Sequence, residues 1–238
     1  YIIFGWHPLD GRREAEITTL DQAAERRLYG VDPLFMFDPV NTANGPVAGL
    51  HGWIVARWRT MPAALRDLFT RSFTAGLANP DAGRVVETEW RQVFARLRDA
   101  VARCCGCGFE VPVDVETARV MPTCMACGKI VPRPTRITIG NYLVATLPGH
   151  ELYRHHIELG ASIILAEPVG RIEQHPTNTE ILGLHNLSAE AWTGQLRDGN
   201  VLPVAPGKTV RIVDGLGVDF GHRRGTVSQG DQLAGDAT

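Results

Sequence analysis

The pattern of apolar positions changes from helical to strand-like near the middle of the chain. In the first part, apolar residues recur every three or four positions, which is typical of amphipathic helices. Such helices are predicted over Thr19–Leu28, Pro62–Leu77 and Thr88–Val101. Later, apolar and polar residues alternate over short runs, as in Arg136–Ile139 and Val210–Val213. An alternation of period two predicts strands with one buried face.

Turn-forming residues separate the predicted strands. Gly, Pro, Asn and Asp cluster at Leu147–Gly149, Asp198–Asn200 and Ala205–Lys208. Short strands at a spacing of roughly 8–12 residues are typical of an all-β sandwich or a small barrel. The longest apolar run, Ala161–Ala166, has the length of a strand and falls far short of the roughly 20 residues of a membrane helix. The sequence therefore predicts a multi-domain α+β protein without a membrane span.

These patterns divide the chain into four parts. Residues 1–102 form a helical section, and residues 103–130 contain all five cysteines. Residues 131–224 form the β section, and residues 225–238, rich in Gly, Asp and Ser, are predicted to be a flexible tail. Within the helical section, Asp32–Gly52 is rich in Pro, Gly and Asn, and so long an irregular passage usually covers a surface or has a function.

Composition narrows the function only slightly. The chain has 238 residues, a formal net charge of -2 and 44% hydrophobic residues, which gives no overall attraction to nucleic acids or anionic membranes. The opening segment Tyr1–Phe4 has no initiator Met and no signal-peptide features, so we expect a fragment of a longer cytoplasmic protein. Cysteines in two close pairs favour metal binding in a reducing compartment over disulfides.

Two cysteine pairs with a shared pattern indicate a metal site. Each pair has the form C-x-x-C-G, and residues 108–123 separate the pairs. A C-x-x-C turn directs two thiolates at one ion, and the following glycine relaxes the tight turn. Two such knuckles complete the closed tetrahedral site of a structural zinc ion, at a spacing in the zinc-ribbon range. The predicted zinc ligands are Cys104, Cys107, Cys124 and Cys127.

Three alternatives accompany this prediction. Cys105 is the alternative ligand to Cys104, although only one residue would then separate it from Cys107. A thioredoxin-like redox site uses a single C-x-x-C pair in a βαβ setting, which the pattern here lacks. A nucleic-acid-binding ribbon is not favoured, because no basic or aromatic residues concentrate around the cysteines.

The helical section resembles the end of a protein kinase C-lobe. Phe4–Gly11 is similar to the kinase segment "L-x-x-G-x-x-P-F" that follows the long central C-lobe helix. Leu65–Leu77 and then Asn79–Arg84 resemble the late kinase pattern "L-x-x-L-x-x-x-x-L-x-x-D-P-x-x-R", and Glu89 follows where kinases begin their last helix. By resemblance, Arg84 is the structural arginine that forms a buried pair with the glutamate of the A-P-E motif.

A kinase-like lobe, a four-cysteine ribbon and a β domain, in that order, resemble bacterial Ser/Thr kinases of the tellurite-resistance-associated kinase–phosphatase–von Willebrand A systems. This resemblance implies protein partners such as a phosphatase or a von Willebrand A-type protein. Phosphoryl transfer needs a Gly-rich loop, a lysine, a catalytic-loop aspartate and a metal-binding D-F-G motif. The chain has no G-x-G-x-x-G and no H-R-D, so no catalytic residue is assigned. ATP and Mg²⁺ are expected only in a full-length parent protein. That parent is either an active kinase or a pseudokinase. The alternative is a non-enzymatic zinc adaptor.

The β section loosely resembles a forkhead-associated (FHA) sandwich. Gly183–Ser188 stands where such domains carry a loop ending in Asn, and Val204–Val210 with Asp214–Gly221 resemble their last two strands. FHA domains bind phosphothreonine with the arginine of a "G-R" pair and the serine of "S-x-x-H". Gly170 and Arg171 form a G-R pair, but no S-x-x-H follows closely. The resemblance therefore implies a structural or partner-docking domain more than a phosphopeptide reader.

Two further motifs have ordinary structural interpretations. Asp219, Phe220 and Gly221 spell D-F-G, but they follow the kinase-like pattern at a great distance, and we interpret them as a strand that ends at glycine. His155 and His156 are expected on a strand, where adjacent side chains point to opposite faces and do not share a metal ion.

Overall fold

The computed structural model describes residues 5–113 and 121–230. The protein combines α-helices with antiparallel sheets in two compact units, Tyr1–Val93 and Phe94–Thr238. The boundary falls before the one predicted at residue 102, and the cysteines share the second unit with the β section. In the described ranges, no helix combines the length and the hydrophobicity that crossing a bilayer requires.

The first unit is helical. Asp21 accepts a hydrogen bond from the amide of Ala24 and caps the second helix, which continues into a π-helical turn over Arg27–Val31. Pro62 precedes the fourth helix, and Pro80 opens the sixth. The helices are α1 (Arg12–Ala15), α2 (Gln22–Arg26), α3 (Gly52–Thr60), α4 (Ala63–Phe73), α5 (Ala75–Ala78), α6 (Pro80–Gly83) and α7 (Glu87–Asp99), the last of which ends in the second unit.

The core of the first unit uses the apolar face predicted for α4. Leu65 and Leu68 are buried, and Phe73 stacks on Phe35 with ring centroids 5.5 Å apart. The irregular passage predicted at Asp32–Gly52 contains one 3-10 turn, Thr42–Asn44. The buried Asn44 side chain donates to the carbonyls of Leu9 and Leu34 and so ties this passage to the rest of the unit.

The second unit begins with the end of α7 and continues as a chain of short strands. Arg136–Ile139 is a strand, as the alternation predicts, and glycines with positive φ occupy the predicted turns at Gly149, Gly199 and Gly207. The strands are β1 (Val101–Arg103), β2 (Glu110–Pro112), β3 (Arg136–Ile139), β4 (Tyr142–Ala145), β5 (Glu151–Tyr153), β6 (Pro168–Gln174), β7 (Leu182–Asn186), β8 (Trp192–Gln195), β9 (Val201–Val204), β10 (Thr209–Arg211), β11 (Gly217–Asp219) and β12 (Arg224–Ser228), with the helical turn α8 (Arg154–Ile157) between β5 and β6.

The described strands of this unit form three antiparallel sheets. β1 and β2 form a two-stranded ribbon. A six-stranded sheet has the order β4-β3-β12-β11-β8-β9, and a four-stranded sheet has the order β10-β7-β6-β5. The two larger sheets contribute to one apolar core, which makes this part a sandwich rather than a closed barrel. Core residues from both sheets include Ile137, Ile139, Leu152, Ile172, Leu184, Trp192, Val218 and Val227.

Three expectations from the sequence require correction. The predicted tail at residues 225–238 is wrong at its start, because β12 reaches Ser228 and pairs with both β3 and β11; residues 231–238 lie outside the described residues. The apolar run Ala161–Ala166 is an irregular loop rather than a strand. His155 and His156 lie on α8, a helical turn, so the argument from opposite faces of a strand does not apply to them.

Candidate metal centre

The first cysteine pair lies in the loop that joins β1 to β2. The amide of Cys104 donates to the carbonyl of Phe109, and the amide of Gly108 donates to the carbonyl of Cys104, both at 2.9 Å. Gly108 adopts φ +72°, a left-handed conformation that strains other residues. The C-x-x-C-G sequence thus folds into a tight knuckle. The sulfurs of Cys104 and Cys107 lie close to those of the second cysteine pair.

The second cysteine pair forms the same knuckle. The amide of Cys124 donates to the carbonyl of Lys129 at 2.7 Å, and the amide of Gly128 donates to the carbonyl of Cys124 at 2.9 Å. Gly128 adopts φ +74°. A bridge between Thr123 and Ile130 closes this knuckle, as the β1–β2 pairing closes the first. The shared C-x-x-C-G pattern therefore produces the same backbone hydrogen bonds in both knuckles.

The two knuckles bring four sulfur atoms together. The Sγ atoms of Cys104 and Cys127 are 3.4 Å apart, and those of Cys107 and Cys124 are 3.6 Å apart. All four sulfurs lie within 4.8 Å of one another. Tetrahedral zinc with Zn–S bonds of about 2.3 Å requires sulfurs about 3.8 Å apart. The four cysteines can therefore hold one metal ion, and the exposed Cys105 is not part of this group.

Local polarity in the cluster favours a bound cation. The amide of Gly106 donates to the sulfur of Cys104 at 3.4 Å. This hydrogen bond, and weaker ones from the other three cysteines of the cluster, lower the pKa of the Cys104 thiol to about 6. At Cys127, a hydrogen bond from the backbone amide of Lys129 lowers the pKa of the thiol. The adjacent Cys104 and burial outweigh this effect and raise the pKa of Cys127 to about 12. Without a cation, the sulfurs therefore share negative charge and protons, and a metal ion displaces those protons on binding.

One half of the cluster is closed by a small apolar core. Cys104 and Cys124 are buried, while Cys107 and Cys127 are exposed. The buried pair packs with apolar residues from both knuckles and the flanking strands. That core comprises Ala102, Val111, Val113 and Val131, with Met121 packed against it. An ion bound tetrahedrally by all four thiolates would have no open coordination position for a catalytic water.

Arg103 and Lys129 are basic residues of the described chain next to the two knuckles. Arg103, on β1, pairs with Glu110 on β2 at 3.2 Å, so its charge is balanced locally. The alkyl chain of Lys129 covers Gly106, where an added Cβ would lie 2.5 Å from the lysine Cδ. A basic face tracking a phosphate backbone needs several unpaired cations, and these two do not supply one.

A second group of potential metal ligands, absent from the sequence predictions, lies at the end of α7. Asp99, His155 and His156 are all buried, and one ligand atom from each lies within 4.8 Å of the others. The signal in the sequence was the charged residue Asp99 in an apolar helical pattern. The His-His pair was recognised, but its helical conformation was not.

Hydrogen bonding argues that this second group is an internal imidazole–carboxylate hydrogen bond rather than a metal site. Nδ1 of His156 accepts from the amide of Tyr153 at 2.9 Å, so the ring hydrogen resides on Nε2. Nε2 then donates to Oδ2 of Asp99, at 2.9 Å. Metal-binding histidines instead donate their second nitrogen to an acceptor. Burial opposes ionisation of Asp99, but His156 and Arg98 outweigh it and lower the pKa of this carboxyl.

The remaining residues singled out in the sequence are not among the grouped metal ligands. Arg84 follows α6 with an exposed side chain. The guanidinium of Arg171 donates to Oε1 of Glu151 at 2.9 Å. Asp219 ends β11 and accepts from the amide of Gly221, which supports the strand interpretation of the D-F-G letters. Comparisons of the chain with protein families, curated proteins and solved structures find no match.

Proposed function

We propose that the chain is the C-terminal part of a bacterial Ser/Thr protein kinase, in which a structural zinc ion holds the ribbon and an FHA-like sandwich docks protein partners. The chain itself transfers no phosphate in this proposal. The observation that carries it is the convergence of four sulfurs from two equal knuckles, all within 4.8 Å of one another, in the same compact unit as the sandwich.

Zinc is the ion that best fits this donor set. Four thiolates in tetrahedral geometry suit Zn²⁺ or iron, whereas Ca²⁺ and Mg²⁺ prefer oxygen ligands. The positive-φ glycines and the amide that reaches the sulfur of Cys104 are part of the knuckle, so the local backbone favours the geometry that the ion requires. The ion then links two short segments that bury little apolar surface of their own.

Docking of unphosphorylated protein partners suits the sandwich better than phosphopeptide binding. A phosphate reader needs cationic donors that converge on one anion. Arg171 belongs to the G-R pair of the β section. Two of its guanidinium nitrogens donate to the carboxylate of Glu151. The buried Asn186, in the FHA-like loop, donates to the carbonyls of Glu190 and Val204 and so shapes the loop rather than a ligand.

The kinase part of the proposal rests on the sequence resemblance of the helical section. The residues that resemble the late kinase pattern form α4, α5 and α6, and Asn79 caps α6 by accepting from the amide of Ala82. Among the described residues, Arg84 makes no hydrogen bond or ion pair, and its exposed side chain is available to a glutamate from a preceding segment. Such a segment, with its A-P-E motif, belongs to the proposed parent.

Two measurements test the two parts of this proposal. Elemental analysis of the purified chain should find one zinc ion per chain, and iron instead of zinc would replace the metal assignment. The reading frame upstream of the codon for Tyr1 should encode, in order, an ATP-site lysine, an H-R-D and a D-F-G motif. An upstream frame without them overturns the kinase assignment, and zinc without kinase motifs would identify a non-enzymatic adaptor.

A further inference from the structure

The longest apolar run of the sequence is exposed. The loop between α8 and β6 contains Leu159, Ile164 and Leu165, whose exposed fractions are 73%, 62% and 46%. Aliphatic side chains this exposed, and this close together in the chain, are unusual unless a partner covers them. A partner that buries these side chains would gain about 25 cal/mol of binding free energy per Å² of apolar surface removed from water.

The same loop begins and ends at a cavity of about 380 Å³. Glu158, at its start, and Glu167, at its end, both line this cavity. The cavity is otherwise lined mainly by apolar side chains from the sandwich, and Glu190 adds a third carboxylate from the loop after β7. The apolar lining residues are Ile157, Pro168, Val169, Leu187, Trp192 and Phe220.

The charge of the cavity favours a cation. Arg154 contributes a guanidinium to the cavity lining. This guanidinium donates to the carboxylate of Glu158 at 2.9 Å, so the charge of Glu158 balances the charge of Arg154. That hydrogen bond, with the charges of Glu158, Glu167 and Glu190, raises the pKa of Arg154. Within residues 5–113 and 121–230, neither Glu167 nor Glu190 takes part in an ion pair. The lining holds three carboxylates and one guanidinium, together with the imidazole of His222, so carboxylates outnumber the guanidinium and a phosphate group would be repelled here.

One side chain of the cavity lining has a buried donor. Trp192 lines the cavity, and its Nε1–H is buried with no hydrogen-bond partner in the described part of the chain. A buried donor left unpaired costs roughly 1–3 kcal/mol, so such groups are normally satisfied.

We propose that the cavity and the exposed loop bind an unphosphorylated peptide segment of a partner protein, with a lysine or arginine flanked by aliphatic residues. The cation lies between Glu167 and Glu190, and the aliphatic residues cover Leu159, Ile164 and Leu165. This inference rests on the proposed docking function and supplies its chemistry. It does not depend on the kinase assignment.

Binding of three labelled peptides to the full zinc-loaded chain tests this inference. The first alternates leucine and lysine, the second replaces lysine by glutamate, and the third carries phosphothreonine in place of one lysine. We expect the first to bind, to bind more weakly at high salt, and to bind more tightly than the other two. Absence of binding by the lysine peptide, or tighter binding of the phosphothreonine peptide, would overturn the inference.

Matched variants separate this site from non-specific adhesion. Glu167→Gln with Glu190→Gln should weaken binding of the lysine peptide roughly tenfold, as the loss of two charge pairs predicts. Ile164→Ser with Leu165→Ser should weaken it similarly, whereas Glu180→Gln, an exposed carboxylate outside the cavity lining, should have no effect. Equal binding by all variants would refute the site. The zinc content of the same samples reports separately on the ribbon, so failure of one proposal is distinguishable from failure of the other.

Discussion

The Nε2 atom of His156 lies 2.9 Å from Oδ2 of Asp99, which stands 57 positions earlier in the chain. This hydrogen bond joins the C-terminal end of α7 to α8 inside the second unit. Both side chains are buried, and Arg98 donates to the other carboxylate oxygen at 2.9 Å. The pair therefore fixes where the ribbon begins relative to the sandwich, and losing one partner leaves the other buried and unsatisfied.

Asp99→Ala should destabilise the protein by about 2–4 kcal/mol, because it leaves the Nε2–H of His156 buried without an acceptor. Urea unfolding followed by circular dichroism measures the change. Asp67→Ala provides the control, since Asp67 is exposed on α4 and its loss should cost less than about 0.5 kcal/mol. A similar, small effect of both substitutions would show that the Asp99–His156 pair contributes little.

His155 makes stability depend on pH. Burial, and then the adjacent His156, lower the pKa of His155 to about 4, so the folded protein favours the neutral ring. The unfolded chain binds more protons below its pKa of about 6.5, and stability is therefore full above that pH and is lost as the pH falls toward 4. We expect a loss of up to about 3 kcal/mol from this residue across that window.

His155→Phe should reduce this pH dependence while keeping stability at pH 7. The phenyl ring fills a similar volume beside Tyr142 and removes two buried nitrogens that have no hydrogen-bond partner in the described chain. Some dependence should remain, because burial also lowers the pKa of His51 and His150. Urea unfolding at pH 7 and pH 5 gives the comparison. An unchanged difference between the two pH values would contradict the assignment to His155.

Gly108→Ala and Gly128→Ala should each weaken metal binding by about tenfold. Both glycines hold left-handed φ values, which cost other L-residues roughly 1–2 kcal/mol. Competition with a chromogenic chelator measures the affinity. Gly30→Ala is the matched control, because an added Cβ meets nothing within 4 Å at that position. If all three variants bound the metal equally, the knuckle geometry would not set the affinity.

The sequence was most informative where one local rule acts alone. The C-x-x-C-G repeat specifies a turn through its glycine and two sulfurs, so both knuckles follow from a few adjacent residues. The alternation in Arg136–Ile139 and the glycines at the predicted turns likewise act locally. These features could be predicted without knowing what they pack against.

Features set by distant partners could not be predicted. His155 and His156 fold into a helical turn in which His156 bonds both the nearby Tyr153 amide and the distant Asp99. The sequence Arg224–Ser228 resembles a polar tail, yet it becomes a strand because β3 and β11 provide hydrogen-bond partners on both sides. Ala161–Ala166 has the composition of a buried strand but lies outside both sheets.

The central claim is that four cysteines bind one zinc ion. The metal content of variants in which one cysteine is replaced by serine tests this claim most directly. The wild-type chain and Cys105→Ser should each retain one zinc ion, because Cys105 lies outside the sulfur cluster. Cys104→Ser, Cys107→Ser and Cys124→Ser should each lose zinc and unfold the ribbon, since folding and metal binding are coupled in such modules. Full zinc in these three variants, or loss of zinc only in Cys105→Ser, would contradict the assignment of the four ligands.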